Sequence, residues 1–163
     1  MKIEEHEGKL RVVDFNELDA YKIACKIEKD GAWFYNKLLG VVDASAAKQV
    51  LTFLIEEEKK HLKFFEQCLS GARQSREDRF EEDDLLSSMN FGIFEPYQSI
   101  EELENMFPDS GKALKLGIIV EEKSIKFYEA CQGQVSSEET RREIANIIEE
   151  EKKHKALLES LSS

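Results

Sequence analysis

The sequence predicts an all-α protein, a four-helix bundle made of two repeated antiparallel helical hairpins joined by a long crossover. Three observations support this fold class. Apolar residues recur at alternating steps of three and four in four segments, which is the period of a helix with one face on a core. Only two prolines and eight glycines occur in 163 residues. The hexapeptide Glu-Glu-Glu-Lys-Lys-His at 56–61 occurs again, unchanged, at 149–154.

The length of the chain fits a single domain over 1–163. Its net charge of −11 argues against binding to nucleic acid and to anionic membranes, because both need a cationic surface. The first residues lack the apolar segment of a signal peptide, and no apolar run reaches the roughly 18 residues of a membrane span. We therefore expect a cytoplasmic protein with no nucleic acid or membrane partner.

Residues 1–13 alternate weakly between apolar and polar side chains, which indicates an N-terminal arm that is either extended or a short hairpin. The first helical hairpin spans 16–71, and its first helix begins near Asn16. Asp43 is the expected N-cap of its second helix, which Gly71 is expected to end. Because the link between the two helices is short, they should be antiparallel neighbours.

The crossover spans 72–109, and two short helices are predicted within it, near 81–89 and 98–106. A structureless connection of this length is uncommon in a compact domain, so we expect the crossover to pack its aromatic side chains onto the bundle.

The second helical hairpin spans 110–161. Its first helix is predicted to run to Gln132 and to end at Gly133. Ser136 is the expected N-cap of the last helix, because Glu139 three residues later can complete a capping box.

The two hexapeptides are 93 positions apart, from residue 56 to residue 149. The same offset places Glu28 on Glu121 and Tyr35 on Tyr128 without a gap, so we interpret the chain as a duplicated hairpin. Where one half has one of the three cysteines, the other half has an aliphatic residue. The cysteines are therefore predicted to be small core residues and not disulfide partners or zinc ligands.

Six polar residues lie in the helical stripes that should be buried. Four buried carboxylates would repel one another, and each would be costly to remove from water. No Lys or Arg lies in these stripes, so bound metal is the simplest source of positive charge. Four carboxylates and two imidazoles suit a pair of iron or manganese ions. The predicted ligands are Glu28, Glu58, His61, Glu121, Glu151 and His154.

Two tyrosines are candidate catalytic residues. Tyr35 and Tyr128 lie two turns after the single glutamates, and their hydroxyls can hydrogen-bond toward the site and orient its carboxylates. Core packing with a hydrated hydroxyl is the alternative for both tyrosines. Three residues after each single glutamate the side chain is small, Gly31 or Ser124, which should leave space for ions and a bound ligand.

The remaining residues of each hexapeptide are interpreted as a solvated charged face. In this interpretation only the third glutamate and the histidine of each copy face the core. The glutamates assigned to the solvated face are Glu56, Glu57, Glu149 and Glu150.

The paired motifs resemble those of the ferritin-like di-iron carboxylate proteins, in which one Glu from each of two helices joins a Glu-x-x-His from each of the other two. The chain is most similar to the rubrerythrin-related branch, over all four helices. This resemblance implies a ferritin-like bundle that binds two iron ions, with manganese or zinc as substitutes. It also implies reaction with hydrogen peroxide or dioxygen, as a peroxidase or ferroxidase in oxidative stress or iron handling.

Within such a site, Glu58 and Glu151 are expected to bridge or cap the ions, and His61 and His154 to bind one ion each. Rubrerythrins usually carry a rubredoxin domain with four cysteine ligands, and this sequence contains no such set. The resemblance therefore implies a separate electron-donor protein, and it implies a homodimer. Two other classes stay open, a protein that binds iron or another metal without turnover and a metal-free helical interaction bundle.

Overall fold

A computed structural model describes residues 2–6, 9–13, 16–74 and 100–162. It confirms the predicted all-α bundle, which a two-stranded hairpin precedes. In these segments no helix is both long and apolar enough to cross a lipid bilayer. The described elements are strands β1 (Lys2–His6) and β2 (Lys9–Val13) and helices α1 (Glu17–Leu39), α2 (Ser45–Gln74), α3 (Ile100–Met106), α4 (Ser110–Gln132) and α5 (Glu138–Leu161).

The N-terminal arm takes the second of its two predicted forms. Strands β1 and β2 pair antiparallel, with Ile3 opposite Val12 and Glu5 opposite Leu10. The arm is therefore a short hairpin and not a single extended segment.

Two helices begin where the sequence predicts. The Asn16 side chain accepts a hydrogen bond from the Asp19 N–H at 3.1 Å, and the Asp19 side chain accepts one from the Asn16 N–H at 3.3 Å. This reciprocal pair is a capping box, which satisfies N–H groups that have no partner inside α1. Helix α4 follows Asp109, whose carboxylate accepts from the Lys112 N–H at 3.0 Å, and it ends at Gly133 as predicted.

Both predicted ends of α2 are wrong. The helix begins at Ser45, two residues after Asp43, because the link first turns back so that the Val42 N–H can bond the Leu38 carbonyl at 3.1 Å. At the other end α2 continues past Gly71 to Gln74. A glycine inside a helix costs only about 1 kcal/mol relative to alanine, which packing against the rest of the bundle can outweigh.

The predicted cap of α5 is displaced by one residue. Ser137 is the N-cap, and its hydroxyl accepts from the Thr140 N–H at 3.3 Å. Ser136 instead donates its hydroxyl to Glu17 Oε2 on the first helix at 3.0 Å. The serine that the local pattern predicts as the N-cap therefore makes a contact with another helix instead.

Helices α1 and α2 form one helical hairpin, and α4 and α5 form the other. The two hairpins pack α1 against α4 and α2 against α5. Helix α3 corresponds to the short helix predicted near 98–106, whereas the one predicted near 81–89 lies outside the described residues. Phe107, just after α3, packs its ring 6.1 Å from that of Trp33 and 5.5 Å from that of Phe34. This part of the crossover places aromatic side chains on the bundle, as expected.

Candidate metal centre

All six predicted ligands lie in the interior of the bundle. Each is at most 4% exposed to solvent. They reach one region because the helical period returns a residue to the same face every three or four positions, and each of the four long helices turns that face inward. Helices α1 and α4 each supply one glutamate, and α2 and α5 each supply one Glu-x-x-His pair. The residues are Glu28, Glu58, His61, Glu121, Glu151 and His154.

The six side chains form two overlapping groups of potential ligand atoms. Within each group, one nitrogen or oxygen atom per residue lies within 4.8 Å of every other. Such spacing allows one ion to contact all members, since metal bonds to imidazole nitrogen and carboxylate oxygen are about 2.0 to 2.2 Å long. Glu151 belongs to both groups, so the arrangement suits two neighbouring ions. The first group is Glu58, Glu121, Glu151 and His154, and the second is Glu28, His61 and Glu151.

Glu151 lies between the two imidazoles. Its Oε1 is 3.0 Å from His61 Nδ1, and its Oε2 is 3.0 Å from His154 Nδ1. The two rings are stacked, with centroids 5.8 Å apart and planes at 21°. A carboxylate whose two oxygens face two different imidazoles is placed to bridge two ions.

The protonation of this pair follows from burial and charge. Burial alone would raise the pKa of Glu151, but its contacts with His154 and His61 outweigh burial and hold that pKa well below its usual range. Burial alone would lower the pKa of His61, whereas Glu151 and Glu28 raise it to about 11. In the metal-free protein, the imidazole therefore supplies positive charge that a metal ion would otherwise provide.

The other three carboxyl groups hold their protons more strongly than usual. Burial is the main cause of the raised pKa of Glu28, Glu58 and Glu121, and the negative charge of Glu151 raises all three further. A cation placed among them would favour the ionised forms and reverse these shifts.

Three buried polar atoms make no well-aligned hydrogen bond in the described part of the chain, namely Glu28 Oε2, Glu58 Oε1 and His61 Nδ1. His61 Nδ1 lies 3.0 Å from Glu151 Oε1, but the two groups are an ion pair without hydrogen-bond alignment. Glu28 Oε2 lies 3.6 Å from His61 Nδ1, and Glu58 Oε1 lies 3.6 Å from His154 Nδ1, which is too long for a hydrogen bond. Leaving such atoms unpaired costs about 1 to 3 kcal/mol each. All three belong to residues of the two groups, and oxygen and imidazole donors suit iron, manganese and zinc. The residues present therefore fit metal ions.

Each tyrosine donates a hydrogen bond to the single glutamate of the opposite helical hairpin. The Tyr35 hydroxyl donates to Glu121 Oε1, and the Tyr128 hydroxyl donates to Glu28 Oε1. Burial raises the pKa of both tyrosines well above the usual value, so both hydroxyls stay protonated and can donate. The hydroxyls contact the site's carboxylates and orient them; a part in catalysis stays a prediction.

The two small residues have different surroundings. A Cβ on Gly31 would lie 2.6 Å from Glu58 Oε2, so the glycine makes room for that carboxylate. The Ser124 hydroxyl donates to the Val120 carbonyl of its own helix at 3.0 Å, so this buried group already has a hydrogen-bond partner.

The flanks of the hexapeptides are only partly a solvated face. Glu56 and Glu149 are exposed and pair with the neighbouring Lys59 and Lys152 at 2.7 and 2.6 Å, as predicted. Glu150 is also solvated, with 42% of its side chain exposed, but its Oε2 in addition lies 2.9 Å from His61 Nε2, a contact that the solvated-face interpretation does not include.

This contact forms because α5 packs on α2 at the level of the site. No signal in the hexapeptide singles out Glu150, because Glu57 also lies four residues before a histidine, on the same side of its own helix. Glu57, at the same place in the first hexapeptide, pairs with Lys60, but its side chain is only 13% exposed, so the prediction of a solvated face is wrong for this glutamate.

Comparisons with known proteins assign the chain to a family. The family model described as Rubrerythrin matches residues 19–162. This range contains all six residues of the candidate site and both tyrosines. Comparison with curated proteins and with solved structures gives no match. Because the family model covers most of the sequence, the chain belongs to the rubrerythrin family.

Proposed function

We propose that this protein is a non-haem di-iron oxidoreductase that reacts with hydrogen peroxide or dioxygen, as a rubrerythrin-like peroxidase or ferroxidase. The observation that carries the proposal is that Glu151 is shared by two buried groups of ligand atoms. A site for a single ion would need only one such group. The proposed ligands are Glu28, Glu58, His61, Glu121, Glu151 and His154.

Each histidine would hold one ion through its Nδ1 atom. This assignment is supported by the positions of His61 Nδ1 and His154 Nδ1, which face opposite oxygens of Glu151 at 3.0 Å. Glu58 would join Glu151 in bridging or capping the ions, because its Oε1 is buried, has no hydrogen-bond partner in the described residues and lies 3.6 Å from His154 Nδ1.

A pair of bound ferrous ions supplies the two electrons that reduction of an O–O bond requires. The protein contributes a dry and oriented environment for that chemistry. Tyr35 and Tyr128 hold Glu121 and Glu28 by hydrogen bonds. Phe65 stacks on the Tyr128 ring at 5.3 Å, and the side chains of Phe65, Tyr128 and Glu28 are all fully buried.

The electrons that restore the ferrous state are proposed to come from a separate donor protein. The three cysteines are free thiols, so they do not supply a redox disulfide within the chain. Free thiols are also typical of a reducing compartment, which supports a cytoplasmic location. A homodimer is proposed as the assembly, with the exposed apolar side chains of Val41, Phe53 and Ile119 as surface available to a second copy.

Repeated turnover tests the proposed activity. The protein is loaded with ferrous iron without oxygen, mixed with hydrogen peroxide, reduced again with a chemical donor and returned to peroxide. We expect peroxide to be consumed in every cycle. Iron that oxidises once and is never reduced by any donor would instead indicate a protein that binds iron without turnover, and it would refute the peroxidase.

Two variants test the ligand assignment within one hexapeptide. Glu151→Ala removes the shared carboxylate and should abolish binding of iron, whereas Glu149→Ala removes an exposed carboxylate paired with Lys152 and should leave iron binding unchanged. Equal loss of iron in both variants would show that the wrong face of α5 has been assigned to the site.

A further inference from the structure

We propose that Glu150 is a positioning residue that holds the His61 ring with Nδ1 directed at the metal centre. The inference rests on the proposed metal site and adds to it a carboxylate that is not a ligand. The contact reaches from α5 to α2, with Glu150 Oε2 2.9 Å from His61 Nε2. Glu150 is not among the six proposed ligands, and it contacts the His61 ring at the nitrogen opposite the one that faces Glu151.

The contact at Nε2 decides which ring nitrogen is available to a metal. An ionised carboxylate can only accept a hydrogen bond, so His61 Nε2 must carry a proton and donate it to Glu150. In a neutral imidazole, a proton on Nε2 leaves the lone pair on Nδ1. That atom is buried, has no hydrogen-bond partner in the described residues, and lies 3.0 Å from Glu151 Oε1 and 3.6 Å from Glu28 Oε2.

Glu150 acts mainly by hydrogen bonding and less by its charge. Its side chain is 42% exposed, whereas that of His61 is 4% exposed. Water therefore screens the carboxylate charge from the interior. An amide oxygen at the same place could accept the same hydrogen bond. Glu150→Gln should therefore keep the orientation of the His61 ring, and Glu150→Ala should lose it.

The other imidazole has a different environment. Glu57 occupies the place of Glu150 in the first hexapeptide, but its carboxylate accepts from Lys60 on its own helix. The His154 ring instead meets the Phe53 ring edge-on, with centroids 6.1 Å apart. In the described part of the chain, a carboxylate that is not a ligand therefore contacts His61 but not His154. The two metal positions should differ in affinity for this reason. Removing Glu150 should lower the affinity for one ion and leave the affinity for the other unchanged.

Titration of the metal-free protein with Co²⁺, followed by its visible absorption, tests this inequality. The wild type should bind two ions. Glu150→Ala should bind one ion as the wild type does and the other about 10- to 100-fold more weakly, which is the usual effect of losing such a partner. Glu150→Gln should titrate like the wild type. Glu57→Ala is the matched control and should also retain both ions.

A second measurement does not depend on any variant folding. Long-range ¹H–¹⁵N NMR of the zinc-loaded wild type should show His61 with Nε2 protonated and Nδ1 bound to metal. The opposite pattern, with Nδ1 protonated, would overturn the proposal directly.

The outcomes separate this inference from the proposed function. If the wild type binds two Co²⁺ ions and Glu150→Ala binds both as tightly, the role of Glu150 is refuted and the metal site stands. An equal loss of Co²⁺ affinity in Glu150→Ala and Glu57→Ala would also refute a specific role for Glu150. If the wild type binds less than one ion, the metal site itself fails, and the role of Glu150 fails with it.

Discussion

Replacing Gly31 with alanine tests whether the space beside Glu58 is needed by the metal centre. Gly31 lies within α1, where exchange of glycine for alanine alone stabilises a helix by about 1 kcal/mol. The added Cβ would lie 2.6 Å from Glu58 Oε2 and 3.2 Å from Glu58 Cδ. Because ordinary contact begins at 3.4 Å, the carboxylate has to retreat by about 0.8 Å.

That displacement exceeds what a metal site accepts, since ligand distances vary by only about 0.2 Å. Without metal, the end of the Glu58 side chain can rotate away at little cost. We therefore expect Gly31→Ala to keep or raise the free energy of unfolding of the metal-free protein, while its affinity for metal falls at least about tenfold, or 1.4 kcal/mol.

Two assays separate these effects. Urea unfolding in the presence of a chelator measures stability, and Co²⁺ titration measures affinity for metal. Gly71→Ala is the control, because a Cβ on this α2 glycine would meet no atom of the described residues within 4 Å beyond the backbone of its own helix. The control should keep its affinity for metal. Unchanged affinity in Gly31→Ala would refute the reasoning, and a parallel loss of stability and affinity would point to a packing failure instead of a displaced ligand.

Further measurements test two polar contacts and two thiols. Tyr35→Phe leaves a buried oxygen of Glu121 without its donor, so the metal-free protein should lose about 1 to 3 kcal/mol in urea unfolding, and an unchanged midpoint would contradict the hydrogen bond. Asn16→Ala removes the capping box of α1 and should lower thermal stability by about 1 kcal/mol; no change would exclude a role for the cap. Burial raises the pKa of Cys25 and of Cys68 to about 11, so both thiols should react slowly with a disulfide reagent at pH 8 and faster as the pH rises toward 11. Rapid reaction of the folded chain at pH 8 would contradict this.

The sequence predicts the four long helices and the six polar residues of the site because both depend on periodicity. A glutamate or histidine that recurs in an apolar stripe is buried wherever the helix packs, so the position of Glu28 or His154 needs no knowledge of the neighbouring helix. Two of the three cysteines follow the same rule, since Cys25 and Cys131 are buried, whereas Cys68 is only half-buried at the edge of the core. The extent of the single domain and the duplication of the hairpin stay predictions.

Contacts between helices could not be predicted in the same way. Which carboxylate of Glu149 and Glu150 reaches His61 depends on how α5 crosses α2, and the charge pattern of the hexapeptide does not contain that information. Ser136 fails as a cap for the same kind of reason, because Glu17 on another helix accepts its hydroxyl. Local patterns thus predict burial and approximate helix ends, whereas partners across the bundle require the packed structure.

The iron content of the reconstituted protein tests the proposed metal centre most directly. The chain is purified without an affinity tag, incubated with ferrous iron in the absence of oxygen, desalted and measured by elemental analysis. Two overlapping ligand groups that share Glu151 predict about two iron ions per chain. Fewer than one iron ion per chain would contradict the di-iron site.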